Sequence, residues 1–157
     1  MNRKKRGGNS ARAFALAAMA LLAPAARADT ACSFNAVVGV NFGTYSVLAT
    51  SANDNGVGSL RIKCQGGGAP SFVVGLSTGQ SFSYVTRVLK SGTNSLNYNL
   101  YTNSTRSLIW GDGSGGSSTR AVARNTTTTL SVFGRIAAGQ DAAVGIYVDS
   151  IVATVNF

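Results

Sequence analysis

Five aspartates, two cysteines and no histidine or glutamate are what this chain offers to chemistry. Without an imidazole to take the nucleophile's proton, the usual serine and cysteine hydrolase arrangements are absent. The carboxylates are Asp29, Asp54, Asp112, Asp141 and Asp149. Asp54 and Asp112 stand in turn contexts, where aspartate bonds its own backbone, and Asp141 lies in the last turn. Spacing places no pair for acid–base work. Cys32 and Cys64 without histidine do not supply the usual zinc ligand set. The run 111–118 (G-D-G-S-G-G-S-S) lacks the Gly-Lys-Ser/Thr ending that grips phosphate and does not repeat as a calcium motif would, so it reads as a flexible hairpin loop. The threonines at 126–129 suit an ice-binding or glycan-facing strand, or simply the polar start of an exposed one. Asn103-Ser104-Thr105 and Asn125-Thr126-Thr127 fit the N-glycosylation pattern, which is short enough to recur by chance. The chain is read as a non-enzyme with no cofactor and no metal.

The first residues read as a targeting segment. Arg3, Lys4, Lys5 and Arg6 form a basic head, 13–23 an apolar run, and Ala26-Arg27-Ala28 a small-x-small cleavage signal. This is the pattern of a secretory signal peptide over 1–28, with Asp29 as the mature N-terminus and 29–157 as one domain. The apolar run is too short to span a bilayer and no later run is longer, so no integral membrane segment is expected once the leader is removed. Of 14 basic residues, six precede Asp29; eight remain against five acids, a net +3 rather than the +9 of the whole chain. The pI near 10.3 is therefore largely a property of the leader, and no nucleic-acid partner follows from it. In an exported protein Cys32 and Cys64 would pair, which stabilises a domain of this kind by about 3–4 kcal/mol; two buried free thiols are the alternative.

Period-two patterns supply the elements that must carry these residues. Residues 32–40 read as a strand with Cys32, Phe34, Ala36 and Val38 on one face. In 59–64, Leu60, Ile62 and Cys64 face inward and Arg61 and Lys63 outward. In 71–77, Phe72, Val74 and Leu76 face inward. Residues 81–89 have poor phase and read as irregular or an edge. In 95–101, Leu96, Tyr98 and Leu100 alternate with Asn97 and Asn99. Residues 126–136 place Leu130, Val132 and Ile136 on one face. The last stretch, 144–157, has strand composition, with Val144, Ile146 and Val148 at even positions and Ile151, Ala153, Val155 and Phe157 at odd ones. That phase change predicts a bulge near Asp149. The sequence stops inside this apolar stretch, so the strand either closes a sandwich or borders a groove for a strand from another molecule. Six or seven short strands with turns between them predict an all-β antiparallel sandwich; an immunoglobulin-like one has about seven strands.

Several motifs stand in register along the chain. They are Cys32, Phe42-Gly43-x-Tyr45, Gly58-x-x-x-Ile62-x-Cys64, Leu76-Ser77-x-Gly79, Arg87, Leu96-x-Tyr98-x-Leu100-Tyr101, Trp110-Gly111-Asp112-Gly113, Phe133-Gly134-Arg135-Ile136 and Gly145-x-Tyr147-x-Asp149. Together they resemble the spore coat protein U domain family, which includes pilin-like subunits of the archaic chaperone–usher pili of Gram-negative bacteria. The resemblance implies an immunoglobulin-like sandwich lacking its final strand, with Cys32 and Cys64 as a disulfide. It implies as partners a periplasmic chaperone, an outer-membrane usher and a neighbouring subunit that donates a strand by β-augmentation. Phe42, Gly43, Tyr45, Arg87, Tyr98, Trp110, Gly134, Arg135, Tyr147 and Asp149 would be its structural motif residues. Gly145, Ile146, Tyr147, Val148, Ile151, Ala153, Val155 and Phe157 would form one wall of the donor-strand groove. The protein would travel through the periplasm to a fimbrium or coat on the cell surface. One departure stands out: after cleavage only Asp29-Thr30-Ala31 precede Cys32, a reach of about 10 Å, too short to fill a neighbour's groove. That places the chain as a tip, a cap or a non-polymerising coat subunit. The alternative reading is an adhesin-like module that recognises a surface or glycan through loops such as 111–118.

Overall fold

The computed structural model describes residues 30–66 and 72–156. The leader expectation and Phe157 lie outside these. Eight strands follow in chain order: β1 (Ala31–Asn41), β2 (Val57–Gln65), β3 (Phe72–Leu76), β4 (Arg87–Ser91), β5 (Asn94–Tyr101), β6 (Arg120–Val122), β7 (Thr126–Ile136) and β8 (Ala153–Asn156). One turn of 3₁₀ helix, Gly79–Ser81, precedes β4, and the described residues contain no α-helix. One sheet has the order β1-β2-β7-β5-β4 and the other β6-β3-β8, with every strand pair antiparallel. The two sheets face each other as an immunoglobulin-like antiparallel sandwich.

Alternation decides the core. Leu60, Ile62 and Cys64 of β2, Phe72, Val74 and Leu76 of β3, Leu96, Tyr98 and Leu100 of β5, and Leu130, Val132 and Ile136 of β7 are all buried between the sheets. Cys32 and Cys64 are direct cross-strand partners, 4.1 Å apart at Cα, and form a disulfide that ties β1 to β2. Residues 81–89 divide into the helical turn, an irregular stretch and β4. β6 has no counterpart in the sequence reading. Its three residues show no readable period, and they form a strand only because β3 supplies a partner.

Three inward–outward expectations are corrected. The β1–β2 register shifts between Phe34 and Ala36, so Ala36 lies opposite outward Arg61, and Val37, opposite inward Leu60, takes the inward place; Val38 lies opposite Ser59. The extra residue moves the side chains after it to the other face, until a second shift between Val38 and Asn41 reverses the phase. Asn99, expected outward and wet, is buried, because its amide donates to the Tyr84 and Val85 carbonyls of the stretch that covers it. The last segment is not one bulged strand over 144–157. Val148 exchanges two backbone bonds with Lys90 of β4 (2.8 and 2.9 Å), while β8 pairs with β3 in the opposite sheet. The phase change at Asp149 marks a crossing from one sheet to the other.

Phe42 closes one end of the core. Its ring stands edge-on to Tyr98, with centroids 5.7 Å apart. A Cβ at Gly134 or at Gly56 would lie 2.5 Å from Phe42 Cε1, so both glycines are needed for this ring to sit where it does. Gly134→Ala is expected to cost about 1–3 kcal/mol by overpacking, read as a lower urea midpoint. Gly39→Ala, whose Cβ meets nothing within 4 Å, stays within about 0.5 kcal/mol of the parent.

Candidate functional site: a groove between two sheet edges

β1 ends one sheet and β8 ends the other, and each has a strand neighbour on one side only. Between them runs an open groove of about 1370 Å³. Its first wall is β1 and the following loop, from Phe34 through Leu48; its second is the segment from Ala142 to Ala153. Its floor is the core itself, with Leu60, Leu76, Leu89, Leu96, Val132 and Ile136 reaching its surface. Thirteen large apolar side chains are exposed among the described residues, and eight of them line this groove: Phe34, Val37, Val38, Val47, Leu48, Val144, Ile146 and Val148. Scattered singly, such residues are ordinary; here they are gathered into one apolar patch beside the free edge of β1.

Of the residues expected in the wall, Gly145, Ile146, Tyr147, Val148, Ile151 and Ala153 line the groove. Val155 does not: it pairs with Val74 and packs on the core from β8. The wall formed by Val37, Val38, Val40, Val47 and Leu48 was not anticipated. The signal for it was present, since valines at 37, 38 and 40 occupy both parities of a strand that otherwise alternates.

Among the described residues Asp149 is the only charged one lining the groove, and its oxygens are engaged. Oδ2 accepts from the Tyr98 hydroxyl at 2.7 Å; Oδ1 accepts from the Gln80 amide nitrogens and the Ser150 backbone N–H. Burial, and then the bond to Asp149, raise the Tyr98 hydroxyl's pKa well above its ordinary value. The close approach requires Gly79, at φ +65°, where a Cβ would fall 2.1 Å from Asp149 Oδ2. This network holds the chain at the point where it changes sheets. Tyr147 donates its hydroxyl to the Ala143 carbonyl and stiffens the same wall. At the other wall, Tyr45 donates to the Ala137 carbonyl and accepts from the Gln140 N–H, and Gly43 turns the chain at φ +68°.

Behind the groove, Arg87 is fully buried. It donates to the Ser77 carbonyl from Nε and Nη2 (3.0 and 2.8 Å), to the Trp110 carbonyl (2.7 Å) and to Asn99 Oδ1 (2.6 Å). Burial lowers its pKa from the ordinary value. The Trp110 indole N–H in turn donates to the Val74 carbonyl of β3 at 2.9 Å. Arg135 grips Asp54 with two bonds of 2.7 and 2.8 Å, and Arg106 adds a contact at 3.2 Å. The Arg135 bond is the main reason that Asp54 titrates below its ordinary 3.8.

The loop 111–118, expected to be flexible from its glycines, carries several hydrogen bonds within itself. Gly111 N–H bonds the Ser118 carbonyl, Ser117 bonds the Ser114 carbonyl from both N–H and Oγ, and Asp112 Oδ1 accepts from both N–H and Oγ of Ser114. Its polar groups are turned on one another.

The Spore Coat Protein U domain family matches residues 17–154. "Protein U" of Myxococcus xanthus is 30% identical over 156 residues, covering 91% of this chain and 87% of its own. Among solved structures, the CsuC-CsuE chaperone-tip adhesion subunit pre-assembly complex from the archaic chaperone-usher Csu pili of Acinetobacter baumannii shares the fold. It matches with a TM-score of 0.50 and 24% identity over 82% of this chain, which spans 40% of that one.

Two outcomes follow from the polar contacts. Arg87→Met leaves the Ser77 and Trp110 carbonyls without their side-chain donor in the interior and Asn99 Oδ1 with only the Leu100 N–H, at a cost of about 3 kcal/mol or more in urea unfolding. Arg87→Lys recovers little of it, because an ammonium does not reproduce the planar fork. The depressed Asp54 pKa contributes stability that is intact above the unfolded value of 3.8 and is lost as pH falls through the lower folded value. The carboxylate is partly exposed, so this amounts to at most about 1 kcal/mol. It is absent in Asp54→Asn when urea midpoints at neutral pH and about pH 2 are compared.

Proposed function

We propose, from the premise that the chain belongs to the Spore Coat Protein U domain family, that it is a structural subunit of a chaperone–usher surface fibre or coat, completed by a strand donated from another polypeptide. The observation that carries this reading is the groove between β1 and β8, into which eight exposed apolar side chains project from β1, the loop after it and the segment 144–148. A donated strand would pair with the edge backbone and place alternate side chains on Leu60, Leu76, Leu89 and Leu96. In transit the donor is a periplasmic chaperone, and in the assembled structure a neighbouring subunit; an outer-membrane usher exports the protein to the surface of a Gram-negative cell. The protein has a structural role and no catalytic one.

We place this subunit at an end of the assembly. Cleavage after Ala28 leaves Asp29 and Thr30 ahead of β1, which already pairs with β2 from Ala31 onward, so the mature N-terminus supplies no free strand to a neighbour. The adhesin-like reading through loop 111–118 finds no support in a loop whose polar groups bond one another.

The test is complementation. The mature domain produced alone is expected to aggregate or unfold at low denaturant. Co-production with its chaperone, or fusion of an alternating apolar strand through a flexible C-terminal linker, is expected to yield a soluble monomer with a raised Tm. A stable, soluble monomer without any added strand would overturn the reading. Ile146→Asp should abolish complementation and Val57→Asp, exposed but outside the groove, should not. N-terminal sequencing of the exported protein should give Asp29; a mature start ten or more residues ahead of Cys32 would remove the end position and leave the groove reading intact.

A further inference from the structure

The outward face of β2 and β7, on the far side of the sheet from the groove floor, carries the cations that nothing else in the fold uses. Arg87 is buried, Arg106 and Arg135 hold Asp54, Arg120 lies over the Trp110 ring and donates to the Thr102 carbonyl, and Lys90 donates to Ser95. The side chains of the remaining three described cations, Arg61, Lys63 and Arg124, are exposed and make no hydrogen bond or ion pair. Lys63 lies opposite Thr127 and Arg61 opposite Thr129 on β7. On the β1 side the neighbours in these two rows are only Ser33 and Ala36. Arg124 stands just ahead of β7 at the same end, where the Asn125 N–H bonds the Cys64 carbonyl. Among the described residues no carboxylate opposes them. Asp54, Asp112 and Asp149 are engaged elsewhere, and Asp141 follows the far end of β7.

We propose that this face binds an anionic polysaccharide. Two cations stand about 7 Å apart along β2, with a row of hydroxyls about 5 Å to one side on β7. A sugar polymer with an acid group on each unit presents the same alternation of anions and hydroxyls to a flat sheet. The threonine run has its explanation here: Thr127 and Thr129 face outward beside the cations, while Thr126 and Thr128 pair with the inward positions Cys64 and Ile62. The two rows contain no aromatic side chain for a base to stack on, as single-stranded nucleic acid would need. Nor do they carry the bulky apolar side chains that an interfacial membrane anchor inserts. The face is separate from the groove, so this inference stands or falls apart from the strand-accepting role.

The experiment uses the exported full chain, purified with whatever strand fills its groove, on immobilised polygalacturonate, with neutral dextran as the reference. Binding to polygalacturonate alone, weakening as salt is raised, is expected. The triple variant Arg61→Gln, Lys63→Gln, Arg124→Gln should bind about tenfold more weakly, the sum of three modest exposed charge contacts. Thr127→Ala with Thr129→Ala should also weaken binding severalfold at unchanged net charge. Both variants should melt as the parent does, since all five side chains are exposed. Retention no greater than on dextran, or a triple variant that binds like the parent, would overturn the proposal. So would an unaffected threonine variant, which would reduce the interaction to net charge. Tighter binding to a single-stranded DNA oligonucleotide or to anionic phospholipid vesicles would assign the face to a different partner.

Discussion

A two-layer β-sandwich hides its core only where both sheets extend far enough to cover it, and here one sheet has five strands and the other three. Along the side bounded by β1 and β8 the interior meets solvent. The same leucines and valines that hold the two sheets together form the floor of the groove. Folding and the proposed assembly would therefore draw on one set of contacts. Each apolar side chain covered by a strand donated as proposed would add to the burial that stabilises the domain, at roughly 25 cal/mol per Å², and each backbone group it paired would remove an exposed edge.

That constraint explains how β1 is held. As an edge strand with two register shifts and mostly exposed side chains, it has few contacts of its own beyond its ladder with β2. It is pinned at both ends instead. The Cys32–Cys64 disulfide fixes its start to β2, and Phe42, seated against Gly56, Gly134 and Tyr98, anchors the chain just after its end. Between these anchors Val37 and Val40 face the groove.

The opposite wall depends on polar contacts. After leaving β7 the chain runs beside β4 and then crosses to β3, and a crossing chain has no continuous ladder to fix its path. Asp149 supplies the fixed point by accepting from Tyr98, Gln80 and Ser150. Arg87 does the equivalent one layer away, collecting the carbonyls of Ser77 and Trp110 and the amide oxygen of Asn99. Buried polar groups satisfied in this way specify one geometry, because any alternative leaves a donor or acceptor stranded.

Wherever a strand alternates strictly, the sequence alone determined the structure. β2, β3, β5 and β7, their inward residues and the all-β class follow from period two, because a side chain's parity sets its face without reference to a partner. The motif set that marks the family was legible in the same way, as was the apolar character of the last stretch. What only the tertiary structure decided lies where a partner strand chooses the outcome. β6 exists because β3 pairs with it. Val37 replaced Ala36 as an inward residue because β2 imposed a shifted register. The phase change at Asp149 became a crossing between sheets rather than a bulge, and the groove's unanticipated first wall arose from β1 and the loop after it. The backbone of an edge strand is satisfied by whatever neighbour the fold brings to it, and local sequence carries no record of which neighbour that will be.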